Sequence, residues 1–510
     1  MNWNKMKFEK LISKFSDIFK EDEKRQGFIY YENINDSRNL PFELNSILFV
    51  KGIADYYKSK IVGIMPYHAQ NKILLEILGG ELDDIKKSPK LLEKLEIFFR
   101  LFILLISCHT GSDVGKIYCR KILIGDLIYS DIVRKHSDVY TLEKSNIIKY
   151  WDTYKKAITW TVMYDNKFSK KAPLVYALGE VMYTEGTLYR MSAKHGAKIV
   201  KIPFLSNPYL VQRFGNGYEY NIDRLFYEQI CKEKKKAIYD VDKAKDVNSL
   251  IYDRPSIESS AAFGDTKQIY KREELINLLG VNPRKKNIFI FLHCFSDDSY
   301  HETVSIYRDY YCWYIDTINK VKNISNVNWI FREHPMAIAY AEGSVAKRIF
   351  DEHKTPNMYW MSKEFNGKNI PQIADAVITV SGTAGVEYSA LGIPCVILGK
   401  PFYSHYGYTI NIKSENEYID VLNKMDKIHM LSDDKIATAK KILEIYMNCR
   451  PVYNTEIEGL ISEFRSKFYE GTPYRKAESD FLDEMLNWLE KNEIKESRIY
   501  QFGLNVVDDN

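Results

Sequence analysis

The sequence predicts an α/β protein made of two successive doubly wound domains, each a largely parallel sheet covered on both faces by helices. Three observations carry this expectation. Residues 371–407, PQIADAVITVSGTAGVEYSALGIPCVILGKPFYSHYG, spell strand, small-residue turn, helix and strand, one βαβ unit. From Asn287 onward, short apolar runs alternate with helical stripes in the manner of a mononucleotide-binding fold. The first half repeats that alternation in outline.

Length and composition agree. A chain of 510 residues exceeds one ordinary core, and 45% hydrophobic with 27% charged residues describes a globular protein. A net charge of +4 with mixed signs gives no reason to expect a nucleic-acid partner. The abundant tyrosines, 38 in all, suit clefts in which rings stack on sugars while hydroxyls seek hydrogen bonds. Cys108, Cys119, Cys231, Cys294, Cys312, Cys395 and Cys449 show no CxxC spacing, which opposes a zinc site or a disulfide framework and fits reduced thiols.

Taken in order, Trp3 to Phe19 carries Phe8, Leu11, Ile12, Phe15 and Phe19 at helical spacing, a helix expected to pack on the first domain rather than on a membrane. No apolar leader is expected in this N-terminus. Strands are expected at 47–50, 61–65, 122–124, 174–178 and 199–202, and helices at 69–78, 89–106 and 187–195. Ile97 to Cys108, the most apolar segment, is too short to span a bilayer and reads as a buried helix. A polar stretch between 228 and 272 reads as the connection. Strands then follow at 288–292, 327–331, 358–361, 376–380 and 395–398, with helices at 311–318, 337–350 and 386–391. Beyond Ser414 the chain is expected to be helical, with further helices at 456–468 and 478–491.

Chemistry is expected at the carboxyl ends of the strands, where open α/β sheets bind ligands. The loop His293 to His301 offers Ser296 and Asp297 as hydrogen-bonding groups. Arg332 and His334 alternate with Glu333 and are fixed by Pro335, an arrangement suited to a phosphate or a nucleotide leaving group. Ser381, Gly382, Thr383 and Gly385 form the small turn, whose N–H groups favour an anion, and Glu387 one turn on could take ribose hydroxyls. In the first domain Glu185 is the expected base for an acceptor hydroxyl, with Glu180, Tyr183 and Asp126 on the acceptor side. GxxxxGK[ST], GxSxG and HExxH are absent from the sequence, and Asp297-Asp298 is adjacent rather than spaced as DxD. A reaction independent of metal or cofactor is the expectation.

Arg332-Glu333-His334-Pro335, then Ser381-Gly382-Thr383-Ala384-Gly385-Val386-Glu387, Gly392-Ile393-Pro394 and Gly399-Lys400-Pro401-Phe402-Tyr403, resembles bacterial capsule and surface-polysaccharide glycosyltransferases of the GT-B fold, including Kdo transferases. The HP pair also resembles that of bacterial sialyltransferases, whose histidine contacts the CMP phosphate. Thr184-Glu185-Gly186 is similar to their acidic motif, with Thr184 in place of the first acid. The resemblance implies two Rossmann-like domains facing a central cleft, with extra terminal helices. It implies a helix at 1–25, an acceptor domain at 26–272, a nucleotide-sugar donor domain at 273–455, and helices at 456–510 that cross back. It implies sugar transfer from a nucleotide-sugar, slightly preferring a CMP-linked one, to a capsule, lipopolysaccharide or other surface glycan. The nucleotide-sugar is a substrate, so no cofactor is expected. A cytoplasmic location follows, with peripheral contact at the inner membrane face open because glycan acceptors are often lipid-linked. A teichoic-acid-type glycerol- or ribitol-phosphate transferase, a sugar-nucleotide epimerase and a noncatalytic sugar-nucleotide-binding subunit of a capsule assembly complex stay open as alternatives.

Overall fold

The computed structural model describes residues 3–19, 27–31, 40–64, 69–83, 88–178, 184–201, 210–212, 246–252, 261–264, 267–300, 305–337, 340, 342, 344–448, 460, 463–464, 467, 472–497 and 500–501. Two six-stranded sheets organise it. The first comprises β1 (Phe28–Tyr31), β2 (Lys60–Gly63), β3 (Glu81–Leu82), β6 (Val175–Leu178), β7 (Lys198–Lys201) and β8 (Leu210–Gln212), while β4 (Tyr118–Cys119) and β5 (Ile122–Leu123) pair separately as a small antiparallel ribbon. The second comprises β9 (Asn287–Phe291), β10 (Asn328–Arg332), β11 (Met358–Met361), β12 (Ala376–Thr379), β13 (Cys395–Ile397) and β14 (Thr409–Asn411). Their orders, β3-β2-β1-β6-β7-β8 and β11-β10-β9-β12-β13-β14, are the same Rossmann sequence of neighbours. All pairs are parallel except β7 with β8. The expected pair of doubly wound sheets is therefore present.

Strands β9, β10, β12 and β13 were legible because they are buried on both faces, whereas the half-exposed β14 was not foreseen. Ile288, Phe289, Ile290, Trp329, Ile330, Phe331, Val377 and Ile378 are all inaccessible, so they read as unbroken apolar runs. The first lobe departs more from expectation. Its helices are α1 (Trp3–Ile18), α2 (Leu40–Tyr56), α3 (Ala69–Ile77), α4 (Leu91–Ser107), α5 (Gly111–Gly115), α6 (Gly125–Lys135), α7 (Trp151–Phe168) and α8 (Gly186–Lys194). Ile47 to Val50, expected as a strand, lies inside α2. The residues Leu44, Ile47, Leu48, Phe49, Val50, Ile53 and Ala54 are all buried, and four apolar residues in a row do not distinguish a strand from a helix enclosed on every side. The run at 122–124 belongs to the ribbon, not the parallel sheet. The central strand β1 and the long α7 were not foreseen.

The largest correction concerns Ile97 to Cys108. Only Ile97, Leu101 and Cys108 are buried there, whereas Phe98, Phe99, Phe102, Ile103, Leu105 and Ile106 are exposed. In contrast, α1 buries Phe8, Leu11 and Phe15 in one core with Phe481, Leu482 and Met485 of the helix Tyr474–Lys491. Lys7 Nζ donates to Ser479 Oγ at 2.7 Å, and Asn4 Nδ2 to Glu478 Oε2 at 2.7 Å, fixing this pair of helices at the polar edge. The 456–468 helix lies mostly outside the described residues.

The two lobes meet through α6. Tyr129 Oη and Thr141 Oγ1 each donate to the Asp309 carboxylate at 2.6 Å. Gly115 admits the Tyr300 ring, which a Cβ there would approach to 1.9 Å. These contacts place the start of the helix Tyr310–Val321 against the first lobe.

Candidate functional site

In the order β11-β10-β9-β12-β13-β14 the direction of winding reverses between β9 and β12, and a crevice opens outside their carboxyl ends. A cavity of ≈ 480 Å³ lies at this point. Chain from three strand ends builds its walls: Leu292 and His293 after β9, Arg332 to Pro335 at the end of β10, and Ser381 to Ala384 after β12. Asp297, Tyr310, Glu387, Tyr388, Phe263 and Gly367 complete it. Thus Asp297, Arg332, His334, Pro335, Ser381, Gly382, Thr383 and Glu387, expected from the sequence to work together, line one space.

Its electrostatics are set by Arg332. The side chain is 3% exposed. Its Nη1 donates to Ser362 O and its Nη2 to Phe365 O, the latter at 2.8 Å. Among the described residues no carboxylate stands within ion-pairing distance of it. Burial lowers its pKa to about 10, so the charge persists at neutral pH without a counter-ion in contact. Lys267 lies close enough that Arg332 adds to the downward shift that burial imposes on it, and its ammonium is likewise held by carbonyls, those of Ala261 and Lys363. A desolvated guanidinium of this kind at the cavity wall favours an anion.

His334 stands beside this charge. Met336 N–H donates to its Nδ1 at 3.2 Å, and Cys294 Sγ lies 3.1 Å from the same nitrogen. Nδ1 is therefore the acceptor and the ring proton is assigned to Nε2. Burial and, second, the Arg332 charge depress the His334 pKa to about 4. The imidazole is thus neutral near pH 7, a hydrogen-bond donor rather than a cation.

The small turn is held from below by Tyr403. Its hydroxyl donates to Gly382 O at 2.5 Å, and a Cβ on Gly385 would stand 2.2 Å from that same hydroxyl. Gly385 therefore serves close packing inside the helix Ala384–Ala390 rather than the cavity itself. The same contact ties the Ser381–Glu387 motif to the Pro401–Tyr403 motif. On the cavity side, a Cβ on Gly382 would come to 3.0 Å from Thr379 Oγ1 and 3.4 Å from the His293 ring. Val380 N–H donates to His293 Nε2 at 3.3 Å, Thr379 Oγ1 lies 2.9 Å from it, and the ring stacks on Tyr310 at 4.1 Å. His293 and Tyr310 were not singled out from the sequence. The one available signal was the position of His293 directly after a buried strand. Glu387 is 4% exposed and near enough to Tyr252 to reinforce the rise to about 12 that burial gives that phenol.

Other expected residues are placed elsewhere. Ser296 is buried, its N–H and Oγ both donating to Glu342 Oε1 at 2.8 and 2.9 Å, so it braces the loop instead of facing the cavity. Asp126 engages both carboxylate oxygens with Arg190, at 2.8 Å each. Glu185 precedes α8, and Lys156 Nζ contacts its Oε1 at 2.5 Å. Neither Asp126 nor Glu185 lines the cavity, whose walls come from the second lobe and the chain just before it. Glu180 and Tyr183 lie outside the described residues. Among the described residues no three His, Cys, Asp or Glu side chains gather as a metal would require.

Three solved structures illustrate what the chain resembles in space. Thermosulfurimonas dismutans KpsC, a beta Kdo 2,4 transferase, is 13% identical over 53% of this chain and 79% of that one, with a TM-score of 0.33. Anabaena Alr3699/HepE in complex with UDP-glucose is 13% identical over 91% and 100%, with a TM-score of 0.27. A putative UDP-N-acetylglucosamine 2-epimerase from Listeria monocytogenes is 10% identical over 89% and 98%, with a TM-score of 0.27. At these scores the fold rests on the strand orders given above. No curated protein matches the chain in sequence. Residues 280–436 match the family described as "Capsule polysaccharide biosynthesis protein", so the cavity-bearing lobe is similar to the proteins its Arg332–Pro335 and Ser381–Glu387 motifs resemble.

Proposed function

We propose that the protein is a glycosyltransferase of capsule or related surface-glycan assembly, moving a sugar from a nucleotide-sugar, CMP-linked by slight preference, to a glycan hydroxyl. The observation that carries this reading is Arg332, a buried cation with no carboxylate partner among the described residues, opening on the switch-point cavity beside a neutral His334. The donor phosphate would take the place of the missing counter-ion. Nε2–H of His334 and the hydroxyls of Ser381 and Thr383 would bind its oxygens, and Glu387 would hold the ribose. In the transfer the acceptor oxygen bonds to the anomeric carbon as the bond from that carbon to the phosphate oxygen breaks. The electron pair leaves with the nucleotide, whose growing negative charge Arg332 and His334 are placed to stabilise.

The acceptor side belongs to the first lobe. Glu185 is the proposed base, its carboxylate held by Lys156 until an acceptor hydroxyl displaces the ammonium. Glu180 and Tyr183 are proposed to serve the acceptor, whereas Asp126 has its oxygens committed to Arg190. The enzyme is proposed to work without metal, from the inner face of the cytoplasmic membrane.

The test has two stages. Saturating CMP, UDP, GDP or TDP should raise the unfolding temperature for the matching nucleotide, since a ligand at a hundred times its Kd stabilises by about 2.7 kcal/mol. Incubation with labelled CMP-sugar and CMP-glycerol should then release nucleotide with only the sugar on the product, and His334→Ala should abolish turnover while the protein stays folded. Phosphate retained on the product would make the protein a polyol-phosphate transferase. Interconversion of donor sugars without acceptor would make it an epimerase. Binding without turnover in the presence of donor and a lipid-linked glycan extract would make it a binding subunit.

A further inference from the structure

The helix α4 carries two apolar stripes, and only one has a partner. Ile97, Leu101 and, half-buried, Leu104 pack toward α7 in the first-lobe core. The exposed residues Phe98, Phe99, Phe102, Ile103, Leu105 and Ile106 continue N-terminally through Leu95, Leu92 and Leu91, the last two 79% and 73% exposed. At 100° per residue these positions span an arc of roughly 160° that no charged residue interrupts. The acids of α4 lie outside it and are engaged. Glu93 accepts from Lys90 N and Asn166 Nδ2, and Glu96 from Arg100 and Arg120. Continuous exposed apolar surface on this scale exceeds what monomeric soluble proteins ordinarily show.

Charge marks the occupant. Lys90 and Lys94 are exposed at the first turns of α4. At 100° per residue Lys94 falls about 20° and Lys90 about 60° beyond Leu105, so two basic residues border one edge of the apolar arc. A partner helix in a two-helix seam would cover a narrower stripe than 160°, leaving Leu105 and Ile103, at its two edges, wet. A lipid surface covers the whole arc while its anionic headgroups meet the lysines.

We propose that α4 is a membrane-docking element that inserts its exposed face into an anionic lipid surface and holds the first lobe there. No helix among the described residues is long and apolar enough to cross a membrane, so the contact is peripheral. This deepens the proposed use of a membrane-borne acceptor and rests on that reading for its purpose, but its test does not depend on turnover.

The experiment is cosedimentation of the full chain with vesicles of phosphatidylcholine alone and of phosphatidylcholine with phosphatidylglycerol, at low and high salt. Binding should be strong only with the anionic vesicles and fall with salt. Phe99→Asp with Phe102→Asp should reduce partitioning at least about tenfold, with an unchanged unfolding temperature because both side chains are exposed. Lys90→Glu with Lys94→Glu should weaken binding to anionic vesicles and leave the apolar face intact. Equal binding by wild type and the Phe99/Phe102 variant would overturn the proposal. So would absence of vesicle binding together with a dimer, by light scattering, that the same variant dissociates, an outcome assigning α4 to a second copy of this chain. Turnover of a water-soluble acceptor by the variant separates a failure here from a failure of the transferase reading.

Discussion

Arg190 in the first lobe and Arg332 in the second are both shut away from water, at 1% and 3% exposure, yet they are neutralised in opposite ways. Arg190 grips both oxygens of Asp126 and also donates to Leu123 O at 2.7 Å. Burial works to lower its pKa, but Asp126 and Tyr189 outweigh it and the net direction is upward. Arg332 has carbonyls alone, and its pKa falls. A guanidinium that has its carboxylate is part of the scaffold. One that keeps its charge at a cavity wall, with no carboxylate in contact among the described residues, is arranged for an anion from outside. The contrast assigns structure to one lobe's arginine and ligand binding to the other's.

Perturbing the two arginine sites should therefore give opposite phenotypes. Asp126→Ala strands the Arg190 charge in the first-lobe core and should cost about 3–5 kcal/mol in denaturant unfolding, with turnover per folded molecule preserved. A fall in turnover with no loss of stability would return Asp126 to the acceptor site. Arg332→Met should do the reverse. It removes a desolvated charge along with two hydrogen bonds to carbonyls, so stability should change less than for Asp126→Ala. The rate should fall by about 100-fold or more, as when one donor to a developing anion is removed. Nucleotide binding by calorimetry should weaken in parallel.

The contrast sharpens with pH through His334. Its folded pKa of about 4 lies below the ordinary histidine value, so between about pH 6.5 and 4 the unfolded chain binds the proton and the folded one does not. The stability tied to the neutral ring is complete above that window and is lost as pH falls through it, with a slope of at most about 1.4 kcal/mol per pH unit. His334→Gln should flatten this part of the stability profile. Arg332→Met should raise the lower edge of the window, and so narrow it, by removing the second cause of the depression. An unchanged acid slope in both variants would show that the ring is not held neutral by its surroundings.

The second lobe was more legible than the first for the same physical reason that gives it the site. Its strands β10 and β12 are enclosed on both faces and lead into charged or small residues, so strand, turn and candidate ligand group could be read together from Asn328 to Pro335 and from Ala376 to Glu387. What the sequence hid there was direction. Ser296 turns to Glu342, Gly385 faces Tyr403, and His293 enters the cavity, distinctions that depend on tertiary neighbours rather than spacing. In the first lobe Ile47 to Val50 and Ile97 to Cys108 were misread because an apolar run reports only that water is unfavourable beside it. It does not say whether helix or strand excludes the water, nor whether the excluding neighbour belongs to the same chain. Pairing of α1 with the helix Tyr474–Lys491 and exposure of the α4 arc show both answers from similar stripes.

The smallest effect tests the buttress beneath the second lobe's turn. Gly385→Ala places a methyl where the Tyr403 hydroxyl stands, and overpacking there should cost about 1–3 kcal/mol. Tyr403→Phe removes the hydroxyl and its bond to Gly382 O, at about 1 kcal/mol. If the hydroxyl is the obstacle, the double variant should be more stable than the sum of the single losses, because Phe leaves room for the new methyl. Nucleotide affinity should follow the position of Gly382, weakening in Tyr403→Phe although that ring touches the turn only from behind. Strict additivity in the cycle would separate the two motifs and leave the Ser381–Thr383 turn to be positioned by its own strand and helix.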